Sequence, residues 1–319
     1  MTPFAIRAEA LVRDFGAVRA LDHLTLDVPT GIVFGFLGPN GAGKTTAIRT
    51  FLGLVESTSG RAEVLGYDTR REGDRIRERA GALLEHHGLY ERLTAEQNLE
   101  LAGRIWHMTS AARRDRTREL LGQFGLWDRR AEPVGRWSRG MKQKLAVARA
   151  VYHRPPLVFL DEPTAGLDPV ASAALRDDLA GLAGRHGVTI FLTTHNLSEA
   201  ERLCALVGVI RKGRLAGLGP PGALGHANGN TLVVTGQGFT ESAVAAVATL
   251  PGVLGASVVD GRLTVTLTRE ASNAPIVAAL VQQGVAIEEV RRARQSLEDV
   301  FLELVSEAEP GTTGAPRAG

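Results

Sequence analysis

Gly38-Pro-Asn-Gly-Ala-Gly-Lys44-Thr45-Thr46 decides the reading of this chain, because it sets glycines and a lysine at the spacing G-x-x-x-x-G-K-[ST] between a strand and a helix. Upstream, Ile32-Val-Phe-Gly-Phe-Leu37 is a short apolar run of the kind that is buried in a parallel sheet. Downstream, Thr46 to Leu54 shows an apolar face at helical spacing. This order aims a helix N-terminus and successive backbone NH groups at one point, and glycine lets the backbone close around a phosphate chain there. Gly38, Pro39, Asn40, Gly41, Ala42, Gly43, Lys44, Thr45 and Thr46 are therefore the expected binding loop for a nucleoside triphosphate. Lys44 supplies a compact charge for the β and γ phosphates, and the Thr45 hydroxyl suits Mg²⁺. An ordinary glycine turn is the competing explanation, and the flanking strand and helix count against it.

The chain has 319 residues, 44% of them hydrophobic, enough for one large or two modest domains. Its formal charge is +2, with acids and bases interspersed in stretches such as Arg70 to Arg79 and Arg113 to Glu119. These read as solvated helix faces, and no one-signed stripe of the kind nucleic acid requires is present. Cys204 is the single cysteine, which excludes an internal disulfide framework and suits a reducing cytosol. The N-terminus lacks a signal-peptide layout, and no apolar run approaches the ~18 residues that cross a bilayer. Any membrane crossing is expected from another chain.

Working outward, Ala5–Val12 and Leu24–Val28 read as strands, with Phe15 between them. Spacing leaves Phe15 two roles, stacking on a base or packing in the core. Glu63-Val-Leu65 reads as a further strand, and about Asp68 to Arg149 as a mostly helical section broken near Gly88 and near Glu132–Gly135. In Trp137-Ser-Arg-Gly-Met141, Ser138 is a natural N-cap for the helix Lys142–Val151, and Gly140 leaves the backbone bare. That segment is a second anion site or a plain capped helix. Leu157–Leu160 is a buried strand that delivers Asp161 and Glu162 to its carboxyl end, where parallel sheets bind ligands. Asp161 suits Mg²⁺, and Glu162 suits orienting and deprotonating a water. After the tight Pro163–Pro169 turn, the strand Val188–Leu192 carries His195 to the same edge.

Taken together, residues from about 5 to 220 closely resemble the ATP-binding subunit of an ABC transporter. The resemblance implies a signature segment at Trp137–Met141, with Ser138 and Gly140 facing a phosphate. It further implies a D-loop at Asp168, a switch histidine at His195, adenine stacking on Phe15, and Glu162 and Lys44 in catalysis. Glu85 stands where the family usually has the Q-loop glutamine, so a carboxylate is expected as an Mg²⁺ ligand in place of an amide. Arg139 and Met141 replace a glycine and a glutamine of the usual signature, a variation shared by the export subgroup. Among subfamilies, the chain is most similar to the ATPases paired with ABC-2-type permeases, especially the daunorubicin-resistance exporters of actinobacteria.

A different pattern begins beyond Gly213 to Asn230, which is rich in glycine and proline and reads as a linker. Thr231–Thr235, Val253–Val259, Arg262–Thr268 and Val285–Val290 read as strands, with helices over Glu241–Leu250 and Ala274–Gln283. That βαββαβ order is the ferredoxin-like arrangement. A last helix, Leu297 to Ser306, presents Leu297, Val300, Phe301 and Leu304 on one face, and Ser296–Phe301 resembles the ending of many export ATPases. From Glu309 the sequence loses periodicity and is expected to be disordered.

The fold expectation is thus α/β, a P-loop NTPase of the ABC type, with a helical subdomain at about 86–150 inside a 1–219 nucleotide-binding domain. A linker at 220–230, an α+β regulatory or dimerisation domain at 231–308 and a tail at 309–319 follow. What the resemblance implies is an ATPase binding ATP and Mg²⁺ that sits on the cytoplasmic face of the membrane. It would pair with a second copy and drive a separate ABC-2-type permease for export of a drug, antibiotic or hydrophobic compound. A soluble ABC ATPase acting on nucleic acid or in translation is the alternative. The stretch between Thr46 and Trp137 holds no sustained heptads, and the chain has a single phosphate loop, so no nucleic-acid partner is expected.

Overall fold

Alternating apolar and polar side chains turn residues 4–29 into a long antiparallel hairpin, β1 (Phe4–Phe15) with β2 (Val18–Pro29), whose inward Ile6, Leu11, Leu24 and Leu26 are buried. The apolar run that follows is β3 (Val33–Leu37), buried at every position, and it passes through the glycine-rich loop into helix α1 (Lys44–Phe51). β4 (Ser59–Val64) returns to pair with β1, and β5 (Tyr67–Asp68) closes a four-stranded sheet in the order β2-β1-β4-β5. The computed structural model describes residues 3–224, 230–259, 261–268 and 271–293, which fall into two units, Met1–Pro221 and Gly222–Gly319.

The first unit continues with α2 (Gly73–Arg79), β6 (Ala80–Leu83), α3 (Ala95–Ile105), α4 (Ser110–Gln123) and α5 (Arg139–Ala150). Strand and helix then alternate through β7 (Leu157–Asp161), α6 (Pro169–His186), β8 (Thr189–Thr194), α7 (Leu197–Leu203), β9 (Leu206–Arg211) and β10 (Arg214–Gly219). The resulting six-stranded sheet has the order β10-β9-β3-β8-β7-β6, parallel throughout except where β10 meets β9. This is the α/β sheet architecture, with a glycine-rich loop after β3, that the sequence leads one to expect. The order sets β8 between the strand that feeds the glycine-rich loop and the strand that ends in Asp161. Three carboxyl ends thereby converge on one edge.

Two sequence expectations are corrected here. Ala80–Leu83 falls in the section read as mostly helical, yet it is the edge strand beside β7. Its alanines and glycine have weak strand propensity, and packing decides instead: a side chain at Gly81 would strike the Ala150 carbonyl. The linker assigned from Gly213 begins too early, because Gly213 turns at φ 78 and Arg214–Gly219 pairs with β9 as β10. Helix α8 (Pro221–Leu224) follows.

A cluster of phenylalanines locks the centre. Phe34 stacks on Phe191 at 5.2 Å between ring centroids, and Phe51 of α1 meets Phe191 edge-on at 5.8 Å and Phe159 at 6.4 Å. α1 is thereby pinned to β3, β8 and β7, which fixes the loop preceding it. Between β3 and α7 the spacing is tighter still: a Cβ at Gly35 would lie 2.7 Å from Cys204 Sγ and 3.1 Å from Leu37 Cδ1. Cys204 is buried as its sequence neighbourhood suggests, and burial pushes its thiol up to about 12, with the charge of Glu199 adding to the shift.

The second unit contains β11 (Asn230–Gln237), α9 (Glu241–Ala248), β12 (Val253–Val259), β13 (Arg262–Leu267), α10 (Ala274–Gln282) and β14 (Ala286–Ala293). Its strands lie in the order β12-β13-β11-β14, every neighbour antiparallel, which is the ferredoxin-like topology. Alternation supplies its core: Leu232, Val234, Leu263, Val265 and Leu267 point to one face and pack with Val247 of α9 and Ile276 and Leu280 of α10. The helix expected at Leu297–Ser306, with the Ser296–Phe301 segment, and the tail from Glu309 lie outside the described residues.

Gly35→Ala is expected to lower stability by about 1–3 kcal/mol, through overpacking against Cys204 and Leu37. In a Cys204→Ala background the cost should shrink. Denaturant titration of the double-mutant cycle measures this, and strict additivity would mean that the thiol does not set the requirement for glycine.

Candidate nucleotide-binding site

The glycine-rich loop is shaped by close approaches. Gly43, the N-cap of α1, has φ 108, and a Cβ there would lie 2.5 Å from the Ala20 carbonyl oxygen. At Gly38 a Cβ would lie 2.5 Å from the carbonyl of Ile210. The loop is thus squeezed between the β1–β2 hairpin and β9, which leaves its backbone free to face outward. Lys44 is buried, and its Nζ donates to the carbonyls of Gly38 (2.7 Å) and Pro39 (3.2 Å) while standing 3.5 Å from Glu162 Oε1. An ammonium held inside a ring of backbone is a receptor for anionic oxygens.

Asp161 and Glu162 are neighbours in sequence with separate surroundings. Asp161 is buried, and its two carboxylate oxygens accept from Thr45 Oγ1 (2.7 Å) and Thr193 Oγ1 (2.5 Å). A hydroxyl and a carboxylate this close form the hard-oxygen donor set that fits Mg²⁺. Glu162 adopts φ 48, a backbone conformation few non-glycine residues hold, and its NH is secured by the carbonyl and hydroxyl of Thr193 (3.1 and 3.0 Å). That twist turns its carboxylate between Lys44 and His195, whose Nδ1 is 3.0 Å from Glu162 Oε2. Glu85 reaches the same region but is exposed and paired with Arg49 at 3.1 Å.

A cavity of about 760 Å³ joins these groups. The glycine-rich loop, Asp161, Glu162 and Glu85 line it, and His195 reaches it through Glu162. Phe15, Ser138, Gly140 and Asp168 are not on this wall. Phe15 ends β1 beside the cavity, with the Arg13 guanidinium 4.3 Å from its ring centroid. Ser138 and Asp168 are both helix N-caps, accepting from the NH groups of Met141 (3.3 Å) and Ala171 (2.9 Å). Gly140 lies so close to α6 that a Cβ on it would come 2.9 Å from Ala171 Cβ.

Several contributors were not singled out from sequence. Thr193 is one of them, although a hydroxyl at the carboxyl end of a buried strand on the ligand edge is itself a signal. Glu199, fully buried, accepts from Thr164 (2.9 Å) and Thr194 (2.8 Å) and so ties the turn after Glu162 to β8. The spacing Asn196-x-x-Glu199, an N-cap followed by an acid, was the available clue. Val18, Arg19 and Ala20 also line the cavity.

A second groove, about 260 Å³, lies between β6, α3 and α5 and is lined by Tyr90, Asn98, Ile105, Trp106, Arg149 and His153 among others. Asn98 staples its rim: its side chain accepts from the Tyr90 NH (2.8 Å) and donates to the carbonyls of Tyr90 (3.1 Å) and Thr94 (2.9 Å). Trp106 stacks on His153 at 3.8 Å, and burial pushes this imidazole down to about 4. Tyr90 is exposed. His86 and His87, close to Tyr90 in sequence, line the first cavity.

Comparison with known proteins adds the following. The family model described as ABC transporter matches residues 21–165, and the model described as ATP-binding protein DrrA1-3-like, C-terminal domain, matches residues 226–305. Daunorubicin resistance ATP-binding protein DrrA2 of Streptomyces coeruleorubidus is 38% identical over 95% of this chain and 96% of its own length. Bacitracin transport ATP-binding protein BcrA of Bacillus licheniformis is 40% identical over 66% of this chain and 68% of its own. Among solved structures, cbiO1 of Clostridium perfringens, part of the transporter complex cbiONQ, superposes with a TM-score of 0.66 and 26% identity, covering 70% of this chain and 92% of that one.

Proposed function

The chain belongs to the ATP-binding subunits of ABC transporters, and from that premise we propose that it spends ATP at the Lys44–Glu162 site to drive a separate ABC-2-type permease exporting a drug, antibiotic or similar hydrophobic compound. The observation that carries the catalytic assignment is the pairing of carboxylates with opposite surroundings, Asp161 tied down by two hydroxyls and Glu162 held between Lys44 and His195. The export assignment is supported by the drug- and antibiotic-resistance relatives and by the similarity that runs through both units.

In this mechanism Lys44 exchanges the Gly38 and Pro39 carbonyls for the β and γ phosphate oxygens, while the loop NH groups bind the rest of the phosphate chain. Glu162 orients a water in line with the γ phosphorus and takes its proton. The water oxygen bonds to phosphorus, the bond to the β–γ bridging oxygen breaks, and ADP and phosphate result. His195 positions the Glu162 carboxylate and faces the developing phosphate. Thr45 and Asp161 would hold Mg²⁺, which when bound neutralises charge on the β and γ oxygens. Glu85 joins that set only by releasing Arg49. Phe15 stacks on adenine with the ring face that Arg13 leaves free.

Ser138, Gly140 and Asp168 act in a homodimer, where the segment containing them closes over the nucleotide of the second copy. Closure then differs in free energy between nucleotide states, and that difference is what a permease can use. Among the described residues no helix is long and apolar enough to cross a membrane. In this reading the ATPase works from the cytoplasmic face, docked on its permease, and the groove at Tyr90 is the proposed seat for a permease helix. The second unit serves regulation or dimer contact.

Glu162→Gln keeps side-chain shape and removes the base, so turnover should fall on the order of 10²–10⁴-fold while ATP still binds. Steady-state hydrolysis and equilibrium binding measure the two quantities. Near wild-type turnover would overturn the role given to Glu162. For the docking surface, Tyr90→Ala should leave the isolated subunit's ATP affinity and basal hydrolysis unchanged and reduce permease-stimulated hydrolysis and co-purification with the permease. Lost ATP affinity in the isolated variant would instead make Tyr90 part of the nucleotide site or the core.

A further inference from the structure

The backbone ladder between β7 and β8 ends where Asp161 pairs with Thr193, just short of Glu162 and His195. Beyond that pair the two segments part: Glu162 turns aside at φ 48, while the other strand runs on through Thr194 to His195. The His195 side chain is 60% exposed, so packing does not hold it, yet its Nδ1 lies 3.0 Å from Glu162 Oε2. A general base and its neighbour work only at a defined spacing. Some group past the end of the ladder has to set it.

Glu199 stands at that place, in α7, fully buried and not on the wall of the loop cavity. Its Oε2 accepts from Thr164 Oγ1 (2.9 Å), two residues after Glu162, and from Thr194 Oγ1 (2.8 Å), the residue before His195. Among the described residues no donor meets its other oxygen, Oε1. Both hydroxyls thus converge on one atom, and the separation of the two turns depends on a single acceptor. That acceptor is anchored in turn: Asn196 Oδ1 accepts from the Glu199 NH (3.1 Å), and the Asn196 NH donates to Thr194 Oγ1 (2.9 Å). Across from it, the Glu162 carbonyl accepts from the Ala165 NH and the Thr164 carbonyl from the Leu167 NH, each at 3.1 Å, so the turn that starts at Glu162 is tied into one piece. Glu162, Thr164, Thr194 and His195 line one cleft of about 180 Å³. A buried carboxylate costs stability that an apolar side chain would not, and what it adds here is direction.

We infer that Glu199 is a positioning residue for hydrolysis: through Thr164 and Thr194 it holds the Glu162 turn and the His195 turn at a fixed spacing. The inference rests on the ATPase reading above and deepens it by naming what aligns the base with the histidine. Removing the carboxylate frees two hydroxyls and lets the turns drift. The phosphate loop, Lys44 and the bond between Thr45 and Asp161 stay as they are. Turnover therefore depends on Glu199, and ATP affinity does not.

The test measures steady-state hydrolysis and ATP affinity on the full chain. Glu199→Ala should lower kcat about 10- to 100-fold, the scale of a displacement near ~1 Å, and leave ATP affinity within about two-fold. Retained affinity also shows that the variant is folded. Glu199→Gln keeps an oxygen that can accept from both hydroxyls and should recover most of the turnover. In a His195→Ala background, adding Glu199→Ala should cost less than about three-fold, because the pair it aligns is already broken. Unchanged kcat, a matching loss of ATP affinity, a glutamine variant as slow as the alanine one, or losses that multiply in the His195→Ala background overturn the inference. If Glu199→Ala does not fold, Thr164→Val with Thr194→Val removes the same two bonds at nearly constant shape, and turnover should fall with ATP affinity held. Full turnover in that double variant overturns the inference as well. An unaltered protein that hydrolyses no ATP ends the ATPase reading itself, and the inference falls with it.

Discussion

Asp161 holds the nucleotide site together. Its carboxylate, buried at the end of β7, accepts from Thr45 at the start of α1 and from Thr193 at the end of β8. A buried carboxylate is costly unless its oxygens are satisfied, and these hydroxyls satisfy one oxygen each. The same pair of bonds ties the glycine-rich loop to the two strands that carry Glu162 and His195. The phenylalanine cluster beneath brings those elements to the right depth, and the Asp161 bonds set their rotation and register. Charge is thereby kept at one point on the sheet edge, with Lys44 on one side of Glu162 and a histidine on the other.

Features with local causes were legible from the residues alone. The glycine-rich loop follows from spacing, Ser138 follows from N-cap chemistry and is seen capping α5, and Asp161-Glu162 follow from four apolar residues upstream. The βαββαβ order of the second unit was readable because its strands and helices are short and well separated in sequence and Arg262–Leu267 alternates cleanly. Features decided by long-range packing were not. Strand β6 exists because a bare edge of β7 accepts it, not because Ala80–Leu83 favours extended structure. β10 exists because β9 offers it a partner. Thr193 and Glu199 gain their roles only once strands far apart in sequence lie side by side.

Membership of the ABC ATPase family and the geometry of the site answer different questions. Similarity across nearly the whole chain, including the DrrA-like second unit, ties it to resistance ATPases. Ser138, Gly140 and Asp168 are not on the lining of the loop cavity, which their neighbours Trp137 and Arg139 reach, and they cap or pack against α5 and α6. The Tyr90 groove, on another face of α3 and α5, is separate from both.

The central claim is that Asp161 and Thr45 gather an Mg²⁺–ATP complex, and Asp161→Asn tests it most directly because it preserves shape and removes the charge. ATP binding is measured with Mg²⁺ and with chelator, in the unaltered protein and in the variant. The account predicts that Mg²⁺ tightens ATP binding in the unaltered protein, that this gain disappears with asparagine, and that affinity in chelator is the same for both. An undiminished Mg²⁺-dependent gain in the variant would contradict it.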